Sequence, residues 1–138
     1  MILTDTGPLV ALCDPRDDRH RVALSHLARL APVGLCICEA VLVEACFLLS
    51  HRTQRERLRA VLRDLRTDAL PTGDPVFRTD VFAWLLKYGD HDPDWTDGCL
   101  AVLSGRNAQL KIWTYDREFR TTWRRPDGTA IPMAVRGS

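Results

Sequence analysis

Four acidic residues, Asp5, Glu44, Asp97 and Asp116, are the side chains of this sequence best suited to chemistry. Glu44 stands out. It is the sole charge between Ala40 and Leu49, and its neighbours one helical turn away are Ala40, Val41, Phe47 and Leu48, all apolar. A carboxylate on a helix that is apolar all round must be partnered or face a cleft, because burying it alone is costly. A structural ion pair with a distant arginine is the plainer alternative. Asp5 closes an apolar run at the N-terminus, and Asp116 follows another at Leu110 to Thr114. Either could be an ordinary turn or capping aspartate. Asp97 follows Asp94 by three residues at a helix start, where N-capping and the helix dipole account for both acids.

Taken together, the four carboxylates imply more. Several carboxylates brought to one cleft repel and cannot all ionise cheaply, and a hard divalent cation resolves that conflict. Carboxylates and water suit Mg²⁺ or Mn²⁺, whereas zinc prefers His and Cys. His20, His26, His51 and His91 all fall outside the acidic segments. Cys13, Cys36, Cys38, Cys46 and Cys99 are odd in number and lack ligand spacing, so neither a disulfide framework nor a structural zinc site is expected.

The elements that must position these acids follow from periodicity. Met1 to Asp5 reads as a buried strand and Thr6-Gly7-Pro8 as a turn leading into a short helix through Leu12. His20 to Leu30 is an amphipathic helix, Gly34 to Cys38 a strand, Glu39 to Leu49 an apolar helix and Gln54 to Arg66 another amphipathic helix. After a break at Pro71-Thr72-Gly73, helices are expected at Val76 to Lys87 and Thr96 to Leu103. A strand follows at Leu110 to Thr114, and a last strand at Ile131 to Val135. Short apolar strands alternating with helices predict an α/β fold, a central parallel sheet with helices on both faces, in one domain over residues 1–138. In such sheets ligands bind beyond the carboxyl ends of the strands, which places Asp5 and Asp116 on the functional edge.

Composition bounds the class. With 46% hydrophobic and 27% charged residues and a net charge of +1, the chain suits a globular protein, and global charge points to no partner. No apolar run spans a membrane, and the N-terminus does not resemble a signal peptide, so a cytoplasmic location is expected. Lys87 and Lys111 are the only lysines among 19 basic residues. Arginine suits bidentate phosphate contacts, although a GC-rich genome produces the same bias.

The segments Thr4-Asp5-Thr6-Gly7-Pro8-Leu9-Val10-Ala11-Leu12, Val43-Glu44, Thr96-Asp97-Gly98-Cys99-Leu100-Ala101 and Thr114-Tyr115-Asp116-Arg117-Glu118-Phe119 resemble, in order, the motifs of the PIN-domain family. The likeness is to the VapC-type toxins of bacterial toxin–antitoxin pairs and covers nearly the whole chain. It implies endonucleolytic cleavage of RNA at a Mg²⁺ or Mn²⁺ centre. On this resemblance Asp5, Glu44, Asp97 and Asp116 occupy the acidic positions, with Asp94 as a further acid, and Thr6 and Thr114 match hydroxyl positions that order the site. Asp5 and Asp97 would be direct ligands. The resemblance further implies a cognate antitoxin and a homodimer. Two other readings are a nuclease acting on DNA or flapped structures and a non-catalytic module that binds RNA or protein.

Substrate contacts are expected first at Arg117, Arg120, Arg124 and Arg125, which follow Asp116 directly. A second stripe, Arg52, Arg55, Arg59, Arg63 and Arg66, shares one helical face, but acids dilute it and a solvated surface is the simpler account. Trp95 and Trp123 flank acidic segments and are candidates for base stacking, whereas Trp113 reads as core. The apolar faces of Val22 to Leu30 and Leu58 to Leu65 are expected to offer a groove for a partner or second subunit.

Overall fold

The computed structural model describes residues 1–137. Four strands form one sheet: β1 (Ile2–Thr4), β2 (Leu35–Cys38), β3 (Asp68–Leu70) and β4 (Lys111–Trp113). Their order is β3-β2-β1-β4, and every pairing is parallel. Seven helices surround them: α1 (Thr6–Cys13), α2 (His20–Leu30), α3 (Glu39–Leu48), α4 (Arg52–Asp64), α5 (Pro75–Lys87), α6 (Trp95–Arg106) and α7 (Glu118–Thr121).

Parallel strands buried on both faces need no polar alternation, and β1 and β2 have none; each of their residues is buried. Successive side chains point to opposite faces. Thr4, Leu35 and Ile37 line one small cavity with Leu9 and Leu12 of α1 and with Val61 and Leu62 of α4. α6 packs against α3 and β4, with Cys99 buried in the core. The expected parallel α/β architecture is therefore present. All five cysteines are free thiols.

Three expectations are corrected. β3 was not anticipated: Asp68-Ala69-Leu70 has no apolar run, and as an exposed edge strand it needs none. The final strand expected at Ile131 to Val135 is only a bridge between Ile112 and Met133, held by Ile112 N–H to Pro132 O (2.9 Å) and Ala134 N–H to Ile112 O (2.8 Å). Pro132 has no N–H with which to extend the ladder. The turn expected at Thr6 to Pro8 is already the first turn of α1.

Of the two apolar faces expected to offer a groove, that of α4 is taken up by the core, whereas Val22 and Leu24 of α2 are exposed. Leu58 is buried, and Val61, Leu62 and Leu65 are packed against the core. More apolar surface lies open on α3 and α5. Phe47 is 80% exposed and Leu86 82%, with Val43, Leu48, Val76 and Phe82 also open to solvent. The helix that carries Glu44 is thus not enclosed.

Candidate active site

β1 and β4 are neighbours, so their carboxyl ends meet. Asp5 N–H donates to Trp113 O at 2.9 Å, extending the ladder to the last residue before the cleft. There the chain turns twice. Asp5 caps α1, its Oδ1 accepting from Thr6 N–H at 2.7 Å, and Asp116 stands two residues past Thr114. The start of α6 and the middle of α3 close the sides. The result is a cleft of about 500 Å³ lined by Asp5, Glu44, Asp94, Asp97, Asp116 and Thr114, among others.

Asp5 and Glu44 are held by hydroxyls from other elements, and Asp94, Asp97 and Asp116 by nearby backbone N–H groups. Asp5 Oδ2 accepts from Thr114 Oγ1 at 2.7 Å. Glu44 Oε1 accepts from Thr6 Oγ1 at 3.0 Å, and its Oε2 accepts a short hydrogen bond from Thr96 Oγ1. Asp94 and Asp97 form a reciprocal capping box: Asp97 N–H donates to Asp94 Oδ1 at 2.8 Å and Asp94 N–H to Asp97 Oδ2 at 3.1 Å. Asp116 Oδ1 accepts from Glu118 N–H at 3.0 Å. The capping account of Asp94 and Asp97 and their placement in the cleft are therefore both true.

Crowding sets the electrostatics. Burial pushes Asp5 up to about 6 against the pull of its Thr114 and Thr6 hydrogen bonds, with Glu44 and Asp116 adding to the rise. Burial likewise raises Asp97 to about 8, and Asp94, Asp5 and Asp116 contribute. Desolvation and like charge both disfavour the anion, so this arrangement favours added positive charge. Arg19 is the sole basic residue among those lining the cleft, which also holds Asp17 and Asp18.

The donor set is all oxygen, which suits a hard divalent cation. Among the described residues, no three His, Cys, Asp or Glu side chains stand together as a ready-made ligand cluster. Asp5, Glu44, Asp94, Asp97 and Asp116 each have at least one oxygen turned toward a hydroxyl or backbone N–H.

The cleft gathers Asp5, Glu44, Asp94, Asp97, Asp116, Thr6 and Thr114 and leaves the expected arginines outside. Arg117 and Arg120 line an adjacent cavity. Arg124 is directed to the backbone, donating to Trp123 O at 2.9 Å, and Arg125 donates to Ser104 Oγ. Of the stacking candidates, Trp123 is buried against Trp84 and Tyr88, while Trp95 is 38% exposed. Sequence reasoning passed over Thr96, the second donor to Glu44, whose only sequence signal is adjacency to Asp97. It also passed over Arg19, which no motif marks.

An acidic cleft at the carboxyl edge of an all-parallel sheet lies where α/β proteins bind their ligands. Residues 2–123 match the PIN domain model, and the chain belongs to that family, whose members are generally nucleases. The fold is similar to the crystal structure of Mycobacterium tuberculosis VapC20, described as a sarcin–ricin loop cleaving toxin. The two share 19% identity over 91% of this chain and 98% of that one, with a TM-score of 0.74. No curated protein matches in sequence.

Proposed function

We propose that this protein is a Mg²⁺- or Mn²⁺-dependent endoribonuclease and the toxin of a toxin–antitoxin pair. One observation carries the reading: acids from the ends of β1 and β4, from α3 and from the start of α6 meet in one cleft where burial and mutual repulsion disfavour their charge. Asp5 and Asp97 are the direct ligands, Glu44 and Asp116 complete the set, and Asp94 is a further acid. A bound divalent ion supplies charge neutralisation at the phosphate and an acidified water. Asp5 is oriented for its role by Thr114, and Glu44 is clamped between Thr6 and Thr96. Asp97, which burial raises to about 8, would be held as the anion by a cation bound in the cleft.

The toxin assignment is supported by the similarity to VapC20 and implies an RNA substrate and an antitoxin that occludes the cleft. The open apolar surface around Phe47 and Leu86 supports a homodimer. The deciding experiment is cleavage of RNA by wild type and Asp5→Asn in Mg²⁺, Mn²⁺ and EDTA. Metal-dependent cleavage, reduced by a thousandfold or so in the variant, is expected. Cleavage in EDTA, or full activity in Asp5→Asn, would refute the assignment.

A further inference from the structure

Beside the acidic cleft lies a second cavity, of about 250 Å³ and opposite character. Arg19, His26, Tyr115, Arg117, Arg120 and Arg136 line it, and no acid does. Arg19 and Tyr115 border both cavities, so the two form one continuous surface. Arg19 Nη1 donates to Tyr115 O at 3.2 Å, and its guanidinium lies 5.0 Å over the Tyr115 ring. The ring is itself anchored: its hydroxyl accepts from Trp113 Nε1 at 3.2 Å and sits 2.8 Å from His26 Nδ1. Arg120 uses Nη2 on Val135 O at 3.0 Å, which leaves other N–H groups of its fork free. None of these four arginines forms an ion pair among the described residues.

Arg117, Arg120 and Arg136, gathered with no ion pair among the described residues, repel one another, and a bound anion relieves that cost. The planar forks suit a phosphate and can engage it bidentately. We infer that this cavity is a substrate subsite that seats an RNA backbone phosphate neighbouring the one cut in the acidic cleft. The inference rests on the nuclease reading and adds the path of the strand: over the Tyr115 wall, from the acids to the arginines. Tyr115 is a positioning residue that holds Arg19 flat at the junction. A shared wall with the acidic cleft favours a nucleic acid over a protein partner, for which the apolar face on α3 and α5 is the open surface.

The test compares Arg117→Ala/Arg136→Ala with a control pair, Arg52→Ala/Arg59→Ala, on α4. All four arginines are exposed, and thermal melting checks that both variants fold. Cleavage of a fluorescent single-stranded RNA in Mg²⁺ is measured across a range of salt. Expected for the cavity variant is a KM raised about tenfold, kcat unchanged, and a log–log salt slope shallower by about 1.4, or ~0.7 per lost contact on single strands. The control pair keeps both values, and Arg117→Lys/Arg136→Lys restores the slope. Wild-type KM and slope in a cavity variant that still cleaves would overturn the subsite and leave the nuclease reading standing. Wild-type protein that neither binds nor cuts RNA would overturn both. Weakened binding of a polyglutamate peptide, with RNA kinetics untouched, would make the cavity a protein-docking site instead.

Discussion

Thr114 Oγ1 donates to Asp5 Oδ2 at 2.7 Å and accepts from Asp116 N–H at 3.0 Å, so one hydroxyl ties together the acids that end two adjacent strands. Thr114 is fully buried, and water cannot replace it. Thr114→Val is expected to free the Asp5 carboxylate and leave the Asp116 N–H without its partner. Loss of such orienting groups costs about 10- to 100-fold in metal affinity or activity, and the lost hydrogen bonds cost about 1–3 kcal/mol of stability. Thr114→Ser keeps the hydroxyl and is expected to retain most activity. Cleavage rates and denaturant melts of the two variants check this; equal losses in both would deny the hydroxyl its role.

The raised carboxyls predict a pH dependence of stability for the metal-free protein. Asp5 at about 6 and Asp97 at about 8 bind protons more tightly folded than unfolded. Their contribution is therefore complete below about pH 4, where both states are protonated, and fades as pH rises through 6 and then 8. Metal-free protein is expected to melt higher at pH 5 than at pH 8. Mg²⁺ should reverse part of the loss and raise Tm more at pH 8 than at pH 6. Calorimetry at both pH values, with and without Mg²⁺, reads the sign; a Tm that rises with pH in EDTA would contradict it.

Gly98 is the point where α6 approaches α5. A Cβ there would meet Val81 Cγ1 at 2.9 Å and the Trp84 ring at 3.4 Å. Val81 and Trp84 are buried and have little room to yield. Gly98→Ala is expected to cost roughly 1–3 kcal/mol through overpacking, and to lower activity by shifting the adjacent Asp97. Gly7→Ala, which would meet nothing within 4 Å, serves as the contrast. Chemical denaturation of both variants decides it.

The apolar surface on α3 and α5 predicts the behaviour of charge placed there. Phe47→Glu with Leu86→Glu is expected to convert a dimer to a monomer while leaving the fold intact, because both side chains are more than three-quarters exposed. Light scattering on the wild type and the double variant measures the change. An unchanged mass would remove this face from the interface.

Much of this geometry was legible in the residues. The apolar runs ending at Asp5 and Thr114 marked two buried strands, and the rule that ligands bind beyond the carboxyl ends of parallel strands placed their acids together. Glu44 was legible because one charge in an apolar helix needs a reason. That reason proved different from full burial: Glu44 and Leu48 of α3 line the open acidic cleft, and Phe47 faces solvent. β3 was hidden because an exposed edge strand of three residues carries no hydrophobic period. Trp123 was misjudged because proximity in sequence to Asp116 did not reveal the buried aromatic cluster it joins.

The sequence by itself determined the alternation of strands and helices, the strand-end positions of Asp5 and Asp116, and the charge on Glu44. These follow from local physics: apolar period, turn residues and the cost of a lone charge. Tertiary structure alone decided that Thr6 and Thr96 clamp Glu44, that Thr114 bridges Asp5 and Asp116, and that Arg19 joins Arg117, Arg120 and Arg136 around Tyr115. The contacts Thr6–Glu44, Thr96–Glu44 and Thr114–Asp5 span 38, 52 and 109 residues. No local pattern encodes them, because they exist only once β4 has paired beside β1 and the helices have closed over the sheet.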